Sequence, residues 1–324
     1  MTASRSAHAR RATGARAAAR GTKSSTTEPP KPATRVIEST GLMQATSMAA
    51  RLRGQTIGFV PTMGALHEGH MALVREARLR ADVVVVSIFV NPLQFGQAAD
   101  LEKYPRTLER DTELCRIAGV DYVFAPDAAS MYPEGFDTTV TTGKLSLSLE
   151  GASRPGHFDG VATVCTKLFA LVQPHFAVFG EKDYQQLQVI RRVVRDLSLP
   201  LEIVPMPVLR DVDGLALSSR NVRLTPAQRK EATCLYRGLM AAQDAVQLGE
   251  RKVKAIVRAA EEVLAAAEGF TTDYVAVVDP RTLEAMDMLG SGARCLLAGS
   301  FGHGPEQVRL IDNGPLFPMT LTSF

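Results

Sequence analysis

Two histidines in a glycine-containing segment are the first residues whose types and spacing suggest chemistry. His67 and His70 lie three residues apart within 61–70, so on the first turn of a helix they share one face. Gly64 and Gly69 permit tight turns and a close approach of the backbone to a ligand. Because a helix N-terminus presents free N–H groups to anions, the segment predicts a phosphate-binding corner. Two alternatives stay open: a capped helix with incidental histidines, and a two-histidine metal site without a third ligand.

Two further segments carry groups that suit phosphate oxygens. Lys182 lies within 180–186 as a mobile charge, and Asp183 beside it could accept from a ribose hydroxyl or hold a metal-bound water. The segment 217–221 combines two serine hydroxyls with the guanidinium of Arg220. Each segment alone has an ordinary alternative, as a helix start or as loop chemistry. The phosphate-binding interpretation is favoured because these segments occur together on one predicted scaffold.

A glutamine at a predicted strand end is the candidate for binding an organic substrate. Gln94 follows Asn91 and Pro92, and a proline cannot continue a β-ladder. The Gln94 amide offers donors and an acceptor without charge, which suits a substrate with carboxylate and hydroxyl groups. A glutamine that only stabilises the turn is the alternative at this point.

These segments need a scaffold that brings strand ends together, and the apolar pattern predicts one. Short runs of β-branched or aromatic residues indicate buried strands at 57–60, 83–90, 122–125 and 176–179. Amphipathic stretches typical of helices lie between them, at 70–80, 108–118 and 161–172. Alternating strands and helices predict an α/β fold with a Rossmann-like parallel sheet, whose ligands bind beyond the carboxyl ends of the strands.

The pattern changes near residue 210, which predicts a second, smaller α+β domain. Thr225 and Pro226 form a helix start, with threonine as N-cap and proline at the first helical position. Two long helices and three short strands are expected, at 226–248, 250–268, 274–278, 294–298 and 308–311. The predicted organisation is a disordered basic extension, a Rossmann-like nucleotide-binding domain and a smaller α+β domain, at 1–36, 37–209 and 210–324.

The charge of the 324-residue chain is unevenly distributed. The formal net charge is +3, but six Arg, two Lys and one Glu give residues 1–36 a charge of +7 and leave −4 for the remainder. This extension has few large apolar residues and cannot bury enough surface to order itself. A solvated tail, an organelle address and a nucleic-acid contact are all open for it. The acidic body offers no basic patch, so nucleic acid is not expected as a main partner.

The cysteines and the apolar runs limit the cellular setting. The four cysteines lie far apart, which predicts isolated reduced thiols in an intracellular, cytoplasmic protein rather than disulfides or a zinc site. The longest apolar stretch, 83–90, is far too short to span a bilayer. A membrane-spanning protein is therefore excluded.

From about residue 37 onward the sequence resembles the pantoate–β-alanine ligase family. Six motifs carry the resemblance in order: PTMGALHEGH at 61–70, SIFVNPLQFG at 87–96, YPRTLERD at 104–111, RPGHFDGV at 154–161, FGEKDYQQLQVIRR at 179–192 and DGLALSSRN at 213–221. The first is similar to the HxGH signature of nucleotidyltransferases, and the last resembles its KMSKS-like partner. The number and length of these motifs make the resemblance specific.

The resemblance implies an ATP-dependent ligation in two steps. The carboxylate of pantoate attacks the α-phosphate of ATP, which releases pyrophosphate and leaves an enzyme-bound pantoyl adenylate. The amine of β-alanine then attacks the acyl carbon to give pantothenate and AMP. The resemblance further implies Mg²⁺ on the phosphates, no membrane or nucleic-acid partner, and a homodimer.

The resemblance also assigns roles to individual residues. His67, His70, Lys182 and Arg220 are the expected catalytic residues, with His70 matching the family's proposed proton donor to the departing phosphates. Gln94 should contact pantoate and β-alanine, Gln186 pantoate, and Asp111 is a candidate outer-shell partner of the metal. The expected ATP-binding residues are Met63, Gly64, Ala65, Leu66, His67, Glu68, Gly69, His70, Gly180, Glu181, Lys182, Asp183, Leu209, Leu217, Ser218, Ser219 and Arg220.

The sequence departs from the family pattern at two positions. Leu217 stands where methionine is common, a volume-conserving change that should preserve a backbone contact. Arg110 precedes Asp111 where some relatives have a second acid, which weakens the case for a paired-acid metal site. Two other functions stay open at this point: another HxGH-type adenylyltransferase, and a nucleic-acid-binding protein acting through its basic tail.

Overall fold

The computed structural model describes residues 33–96, 101–290 and 292–317. Most of the predicted disordered extension, residues 1–32, lies outside this part of the chain. The predicted boundary at residue 36 differs from the structure, because Arg35 and Val36 belong to a strand that pairs in parallel with 122–124. The pairing of these backbone groups overrides the tail-like composition around them.

The first part of the chain forms the predicted parallel sheet. Its six strands are β1 (Arg35–Ile37), β2 (Ile57–Thr62), β3 (Val83–Ile88), β4 (Tyr122–Phe124), β5 (Phe176–Gly180) and β6 (Glu202–Met206). They are arranged in the order β1-β4-β3-β2-β5-β6, and all pairs are parallel. The chain therefore winds outward from β2 in one direction and then returns to place β5 on its other side. Strand order reverses between β2 and β5, which is where sheets of this kind bind ligands.

Helices cover both faces of this sheet, as the Rossmann-like prediction requires. They are α1 (Thr40–Leu52), α2 (Glu68–Arg80), α3 (Leu108–Ile117), α4 (Ala128–Met131), α5 (Glu150–Ser153), α6 (His157–Val172) and α7 (Tyr184–Asp196). One apolar core includes Phe59, Phe169 and Ile190, and a second, on the opposite face, includes Val60, Val74 and Val178. The alternation Phe59–Val60 along β2 sends neighbouring side chains to opposite cores.

The C-terminal part combines helices with an antiparallel sheet. It contains α8 (Pro226–Glu231), α9 (Cys234–Gln247), α10 (Val253–Ala265), β7 (Phe270–Val278), β8 (Ala293–Phe301) and β9 (Val308–Leu316). The predicted start at Thr225 is confirmed, with a capping box between Thr225 and Gln228. The single helix expected over 226–248 is instead two helices separated at Ala232 and Thr233.

The remaining structural predictions concern cysteines and membranes. All four cysteines, Cys115, Cys165, Cys234 and Cys295, are buried free thiols, and burial raises the pKa of each. Thiols of this kind are poor nucleophiles because little thiolate is present. Within the described ranges, no helix has the length and apolar character needed to cross a bilayer.

Candidate active site

An open cleft lies at the carboxyl ends of β2, β3 and β5, where the strand order reverses. It encloses about 1460 Å³ of empty space that is continuous with solvent. The segments after these three strands all contribute to its walls, and a fourth segment after β6 completes them. The predicted convergence of the motifs at one end of the sheet is therefore present in the structure.

The two histidines of the first motif cap the helix α2. His67 is the N-cap residue, and its Nδ1 accepts a hydrogen bond from the Gly69 N–H at 3.1 Å. The Nδ1 of His70 accepts in turn from the His67 N–H at 3.3 Å. A neutral ring that accepts at Nδ1 carries its hydrogen on Nε2. Since both residues line the cleft, each ring offers Nε2–H as a donor there.

Both rings are neutral near pH 7 in the free protein. Burial lowers the pKa of His67, and the nearby Lys182 charge lowers it further. Burial together with the neighbouring His67 lowers the pKa of His70 to about 3. The corner therefore presents two neutral hydrogen-bond donors to the cleft. Both rings also cap α2, so the capped-helix interpretation is correct as far as it goes, and phosphate binding stays a prediction.

Asp111 supports this corner from behind. It is fully buried, and its carboxylate accepts hydrogen bonds from the backbone N–H of Ala65 at 2.7 Å and of Leu66 at 3.0 Å and from the Thr107 hydroxyl at 3.0 Å. Gly64 has φ +82°, and a Cβ there would lie 3.1 Å from an Asp111 oxygen. The structure thus gives Asp111 a different surrounding from the predicted metal site, because its oxygens face backbone donors of the loop.

The Lys182 segment is a short 3-10 turn that leads from β5 into α7. Lys182 and Asp183 line the cleft, with Nζ and Oδ1 3.8 Å apart. Burial alone would raise the pKa of Asp183, but Lys182 and Arg220 outweigh that effect and lower it. Asp183 is therefore an ionised carboxylate among cations. Glu181 points elsewhere and pairs with Arg294 at 2.8 Å.

The Ser218 segment is one side of a hairpin. The Leu217 N–H donates to the Leu209 carbonyl at 2.9 Å, and Arg210 forms a β-bridge with Ala216. Leu209 and Leu217 both line the cleft, as do the two serines and Arg220 that follow. The hairpin and the residues directly after it therefore carry five of the predicted ATP-binding residues, namely Leu209, Leu217, Ser218, Ser219 and Arg220.

A chain of hydrogen bonds orients Gln94. The Tyr132 hydroxyl donates to Oδ1 of Asn91 at 2.8 Å, and Nδ2 of Asn91 donates to Oε1 of Gln94 at 3.1 Å. With its oxygen engaged, Gln94 turns its Nε2 toward the sulfur of Met63 in the cleft, 2.9 Å away. An amide nitrogen carries two hydrogens, so the second hydrogen of Gln94 Nε2 can meet an acceptor on a ligand.

Three residues that line the cleft are not predicted as site residues from the single motifs. Arg154, His157 and Tyr104 all line the cleft. The ring of His157 lies 2.9 Å from the Gln94 carbonyl through Nδ1 and 3.2 Å from Arg154 through Nε2, so it orients that guanidinium. Burial and Arg154 lower the pKa of His157 to about 4, and burial and Arg220 lower the pKa of Arg154 to about 10. The motif RPGHFDGV contains two of these residues, but no local signal says which of its side chains face the cleft.

Most of the predicted site residues meet in this cleft. Those that line it are Met63, His67, Gly69, His70, Gln94, Gly180, Lys182, Asp183, Gln186, Leu209, Leu217, Ser218, Ser219 and Arg220. The side chains of Leu66, Glu68 and Glu181 do not follow the prediction: Leu66 is buried beneath the loop, Glu68 pairs with Arg75, and Glu181 pairs with Arg294. Gly64 and Ala65 shape the loop through the Asp111 contacts.

The cleft is cationic although the body of the chain is acidic. Arg154, Lys182 and Arg220 line it, while Asp183 is its one carboxylate among residues 33–96, 101–290 and 292–317. Together with the two imidazole donors, this set suits a polyphosphate. The fold and the cleft define an α/β nucleotide-binding enzyme of the HxGH type.

Comparison with known proteins agrees with that class and narrows it. The model of the pantoate–β-alanine ligase family matches residues 35–315. The pantothenate synthetase of Thermus thermophilus is 53% identical over 281 residues, which are 85% of this chain and all of that protein. The pantothenate synthetase of Aquifex aeolicus is 50% identical over 266 residues, covering 81% of this chain and 92% of the relative.

Solved structures show the same likeness. The pantothenate synthetase structure from Thermus thermophilus superposes with a TM-score of 0.82 at 51% identity, covering 88% of this chain and all of that one. A pantoate–β-alanine ligase from Francisella tularensis, described as complexed with beta-gamma ATP and beta-alanine, gives 0.71 at 34% identity, covering 87% and 97%. The chain belongs to the pantoate–β-alanine ligase family. It is a ligase that forms pantothenate, and the two alternative functions are disfavoured.

Proposed function

We propose that this cleft joins pantoate to β-alanine through an enzyme-bound pantoyl adenylate, with ATP converted to AMP and pyrophosphate. The observation that carries the proposal is the meeting of Lys182, Arg154, Arg220 and the two imidazole donors where the strand order reverses. A cationic, partly enclosed cleft holds a triphosphate and stabilises the charge that develops on its leaving group. The Francisella relative, whose structure is described as a complex with β-alanine, supports the choice of amine.

The first step forms an acyl–phosphate bond. A carboxylate oxygen of pantoate attacks the α-phosphorus of ATP, and the bond to the β-phosphate oxygen breaks, so pyrophosphate leaves with the electron pair. Gln94 donates its amide N–H to pantoate, and Gln186, which also lines the cleft, makes the second amide contact. Holding both reactants in line replaces a covalent nucleophile of the enzyme.

The cleft residues neutralise the charge that accumulates on pyrophosphate. Lys182 and Arg220 supply fixed positive charge, and His67 and His70 donate Nε2–H hydrogen bonds. Because the pKa of His70 is about 3 in the free protein, we assign it the role of a neutral hydrogen-bond donor. The proton donation expected from the family resemblance would require bound phosphates to raise that pKa well above this value.

Mg²⁺ fits this site as an ion that accompanies ATP. Within the described ranges, no cluster of three or more His, Cys, Asp or Glu residues forms a metal site of protein ligands alone. Mg²⁺ is commonly held by one or two carboxylates, waters and substrate phosphates, and the ionised Asp183 would supply the carboxylate. When bound it would offset phosphate charge. Accepting a hydrogen bond from a ribose hydroxyl is the alternative role for this carboxylate.

The second step forms the amide. The uncharged amine of β-alanine attacks the acyl carbon of the adenylate, the acyl–oxygen bond to the phosphate breaks, and AMP leaves while the amine loses a proton. Arg154 lies beside the Gln94 carbonyl, with 3.3 Å between Nη2 and the oxygen. We assign Arg154 to the carboxylate end of a substrate at this position, since a guanidinium matches a carboxylate.

The test is the dependence of product formation on each substrate. Enzyme mixed with ATP, Mg²⁺, pantoate and β-alanine should release AMP and pyrophosphate in equal amounts with pantothenate. Omission of pantoate should abolish pyrophosphate release, whereas omission of β-alanine should leave one burst per active site. Release of ADP, or turnover without pantoate, would contradict the proposal.

The proposal also covers oligomeric state, cellular location and domain organisation. We propose a homodimer on the strength of the family resemblance, and a cytoplasmic location because the four cysteines are free thiols. We further propose that residues 37–209 and 210–324 act as two domains, because the α8–α10 and β7–β9 region has a core cluster of its own around Leu239, Ile256 and Leu297.

A further inference from the structure

Two adjacent polar residues on strand β9 connect the C-terminal sheet to the walls of the cleft. Asp312 and Asn313 are each only 2% exposed, although β9 is an edge strand of the C-terminal sheet. Burial of polar groups at such positions costs free energy unless they are fully hydrogen-bonded. Besides bonds within the C-terminal sheet, their side chains bond to two groups outside it: Asn313 to the Lys182 turn and Asp312 to Arg210.

Asn313 holds the turn that carries Lys182. Its Nδ2 donates to the carbonyl of Glu181 at 3.0 Å and to the carbonyl of Lys182 at 2.8 Å. Its Oδ1 accepts from Nε of Arg294 at 2.7 Å. Both amide hydrogens and the amide oxygen are thus engaged, and two of the three bonds end on the backbone of the turn.

Arg294 on the neighbouring strand β8 strengthens the same connection. Its Nη2 donates to a carboxylate oxygen of Glu181 at 2.8 Å, and its guanidinium lies 3.8 Å from the centre of the Tyr184 ring. Tyr184 is the first residue of α7, directly after the turn. The turn is therefore held from the C-terminal sheet on both its backbone and its side-chain faces.

Asp312 holds the hairpin of Leu209 and Leu217. Its carboxylate receives both arms of the Arg210 guanidinium, at 2.6 and 2.9 Å. Arg210 follows Leu209, donates to the Gly214 carbonyl at 2.9 Å and stacks 4.5 Å from the Tyr236 ring centre. A bidentate, buried ion pair of this geometry fixes the position of the arginine and so of its hairpin.

We infer that Asp312 and Asn313 are positioning residues that set the Lys182 turn and the Ser218–Arg220 hairpin against the nucleotide phosphates. This inference rests on the proposed function, since it concerns the same ATP site. Neither residue belongs to the motifs that carry the resemblance, and neither supplies a group to the phosphates. They act through the backbone at Lys182 and through Arg210. One dipeptide therefore fixes the positions of both the Lys182 turn and the hairpin.

The inference predicts that the two chemical steps respond differently to substitution. Lys182 and Arg220 serve the departure of pyrophosphate, which is complete before β-alanine reacts. A misplaced turn should therefore slow adenylate formation and spare amide formation. A residue that only stabilised the fold would affect both steps alike through the fraction of folded enzyme.

The main variant is Asn313→Asp, which keeps the size and the acceptor for Arg294 but replaces the amide donor with a carboxylate. Single-turnover measurements with ATP, Mg²⁺ and pantoate report pyrophosphate release, and β-alanine added to preformed enzyme-bound adenylate reports the second step. We expect the first rate to fall about tenfold or more, because displacements near 1 Å can cost as much as a hundredfold, and the second to stay within about twofold. Asn313→Ala serves if the isosteric variant does not fold.

Asp312→Asn tests the contact that holds the hairpin of Leu209 and Leu217, and Leu310→Ala is the matched control. Asp312→Asn removes the charge opposite Arg210 and should also slow the first step selectively. Leu310 is a buried core residue of the same strand, two positions from Asp312. Leu310→Ala should lower the melting temperature while leaving the ratio of the two rates unchanged. Equal slowing of both steps in the Asn313 variants, or no slowing, would overturn the inference.

A double-mutant cycle shows whether Asn313 acts through Lys182. In a Lys182→Ala background, Asn313→Asp should change pyrophosphate release by less than about twofold, because the group it positions is gone. A full additive loss in that background would overturn the inference. Wild-type enzyme measured in parallel distinguishes a failure of the proposed function from a failure of the positioning role. If the wild type releases no pyrophosphate with pantoate, the proposed function is wrong, whatever the Asn313 variants do.

Discussion

Two walls of the proposed phosphate site, the histidine corner and the Lys182 turn, are held in different ways. The corner of His67 and His70 is supported within the parallel-sheet region, where the buried Asp111 accepts the backbone N–H groups of Ala65 and Leu66. The Lys182 turn is supported from the C-terminal sheet, through Asn313. One wall therefore depends on packing between neighbouring helices and strands, and the other on how the antiparallel sheet meets the parallel one.

This difference separates two kinds of contribution to catalysis. The histidine corner supplies neutral hydrogen-bond donors on a backbone that is fixed by a buried carboxylate. The Lys182 turn and the hairpin of Arg220 supply positive charge, and both are placed by β9 residues that never meet the phosphates. Substitutions in the two supports should therefore have different signatures, and the following predictions test that difference in order of expected effect.

The largest effect is expected at Lys182, the charged group of the second wall. Lys182→Ala should slow pyrophosphate release by a hundredfold or more, about 2.7 kcal/mol or above for a lost transition-state contact. The melting temperature should hardly change, because the side chain lines an open cleft. Single-turnover kinetics beside a thermal unfolding curve measure both. Near-normal release would remove Lys182 from the mechanism.

The next effect tests the support of the first wall. Asp111→Asn keeps the size of the side chain but turns an amide group toward backbone donors that now face a carboxylate. Leaving buried donors unsatisfied costs about 1–3 kcal/mol of folding stability. We expect slower adenylate formation together with a lower melting temperature, whereas Lys182→Ala should leave the melting temperature almost unchanged. Unchanged stability would show that the corner does not depend on this carboxylate.

A smaller effect is expected in the pantoate contacts. Tyr132→Phe removes the hydroxyl that holds Asn91, and through it the amide of Gln94. Loss of one hydrogen bond of this kind is worth about 1 kcal/mol, so the KM for pantoate should rise about fivefold. The KM for ATP should stay unchanged, since neither phosphate wall is touched. Equal changes in both constants would contradict the assigned role of Gln94.

The last prediction concerns the pH dependence of folding stability. His70 and His157 have pKa values near 3 and 4 in the folded protein, both lowered by burial, against about 6.5 when unfolded. The unfolded chain therefore binds more protons between these values, and folding stability falls as pH drops from 6.5 toward 4. Each such imidazole costs about 1.4 kcal/mol per pH unit in that range. His157→Gln should flatten the decline of melting temperature between pH 7 and 5, and an identical slope would contradict this.

Much of this arrangement is predictable from the sequence, and the failures have physical causes. β2, β3 and β5 are dense β-branched or aromatic runs, and the motifs after them end strands of one parallel sheet. The apolar pattern does not predict β6, since Glu202 and Pro205 interrupt it. It also ends β9 at residue 311, because Asp-Asn-Gly-Pro is typical of a turn. Pairing with β8 extends β9 to Leu316, and this tertiary contact overrides the local turn preference.

The site residues that the sequence does not predict also depend on tertiary contacts. Arg154 lies between α5 and α6, and His157 is the first residue of α6; both contact the Gln94 carbonyl, and no local pattern encodes this long-range contact. Asp312 and Asn313 have no such signal, because Asp-Asn-Gly-Pro is typical of a turn and only the pairing with β8 makes them part of the strand. Sequence reasoning thus finds the groups that meet the substrate more readily than those that position them.

The most direct test of the central claim follows an oxygen atom from pantoate. Pantoate labelled with ¹⁸O in its carboxylate is incubated with enzyme, ATP, Mg²⁺ and β-alanine, and the products are examined by mass spectrometry. Attack of that carboxylate on the α-phosphorus predicts one ¹⁸O in each AMP and none in pyrophosphate. Label in the pyrophosphate, or AMP without label while pantothenate accumulates, would contradict the pantoyl adenylate and with it the roles assigned to both walls of the cleft.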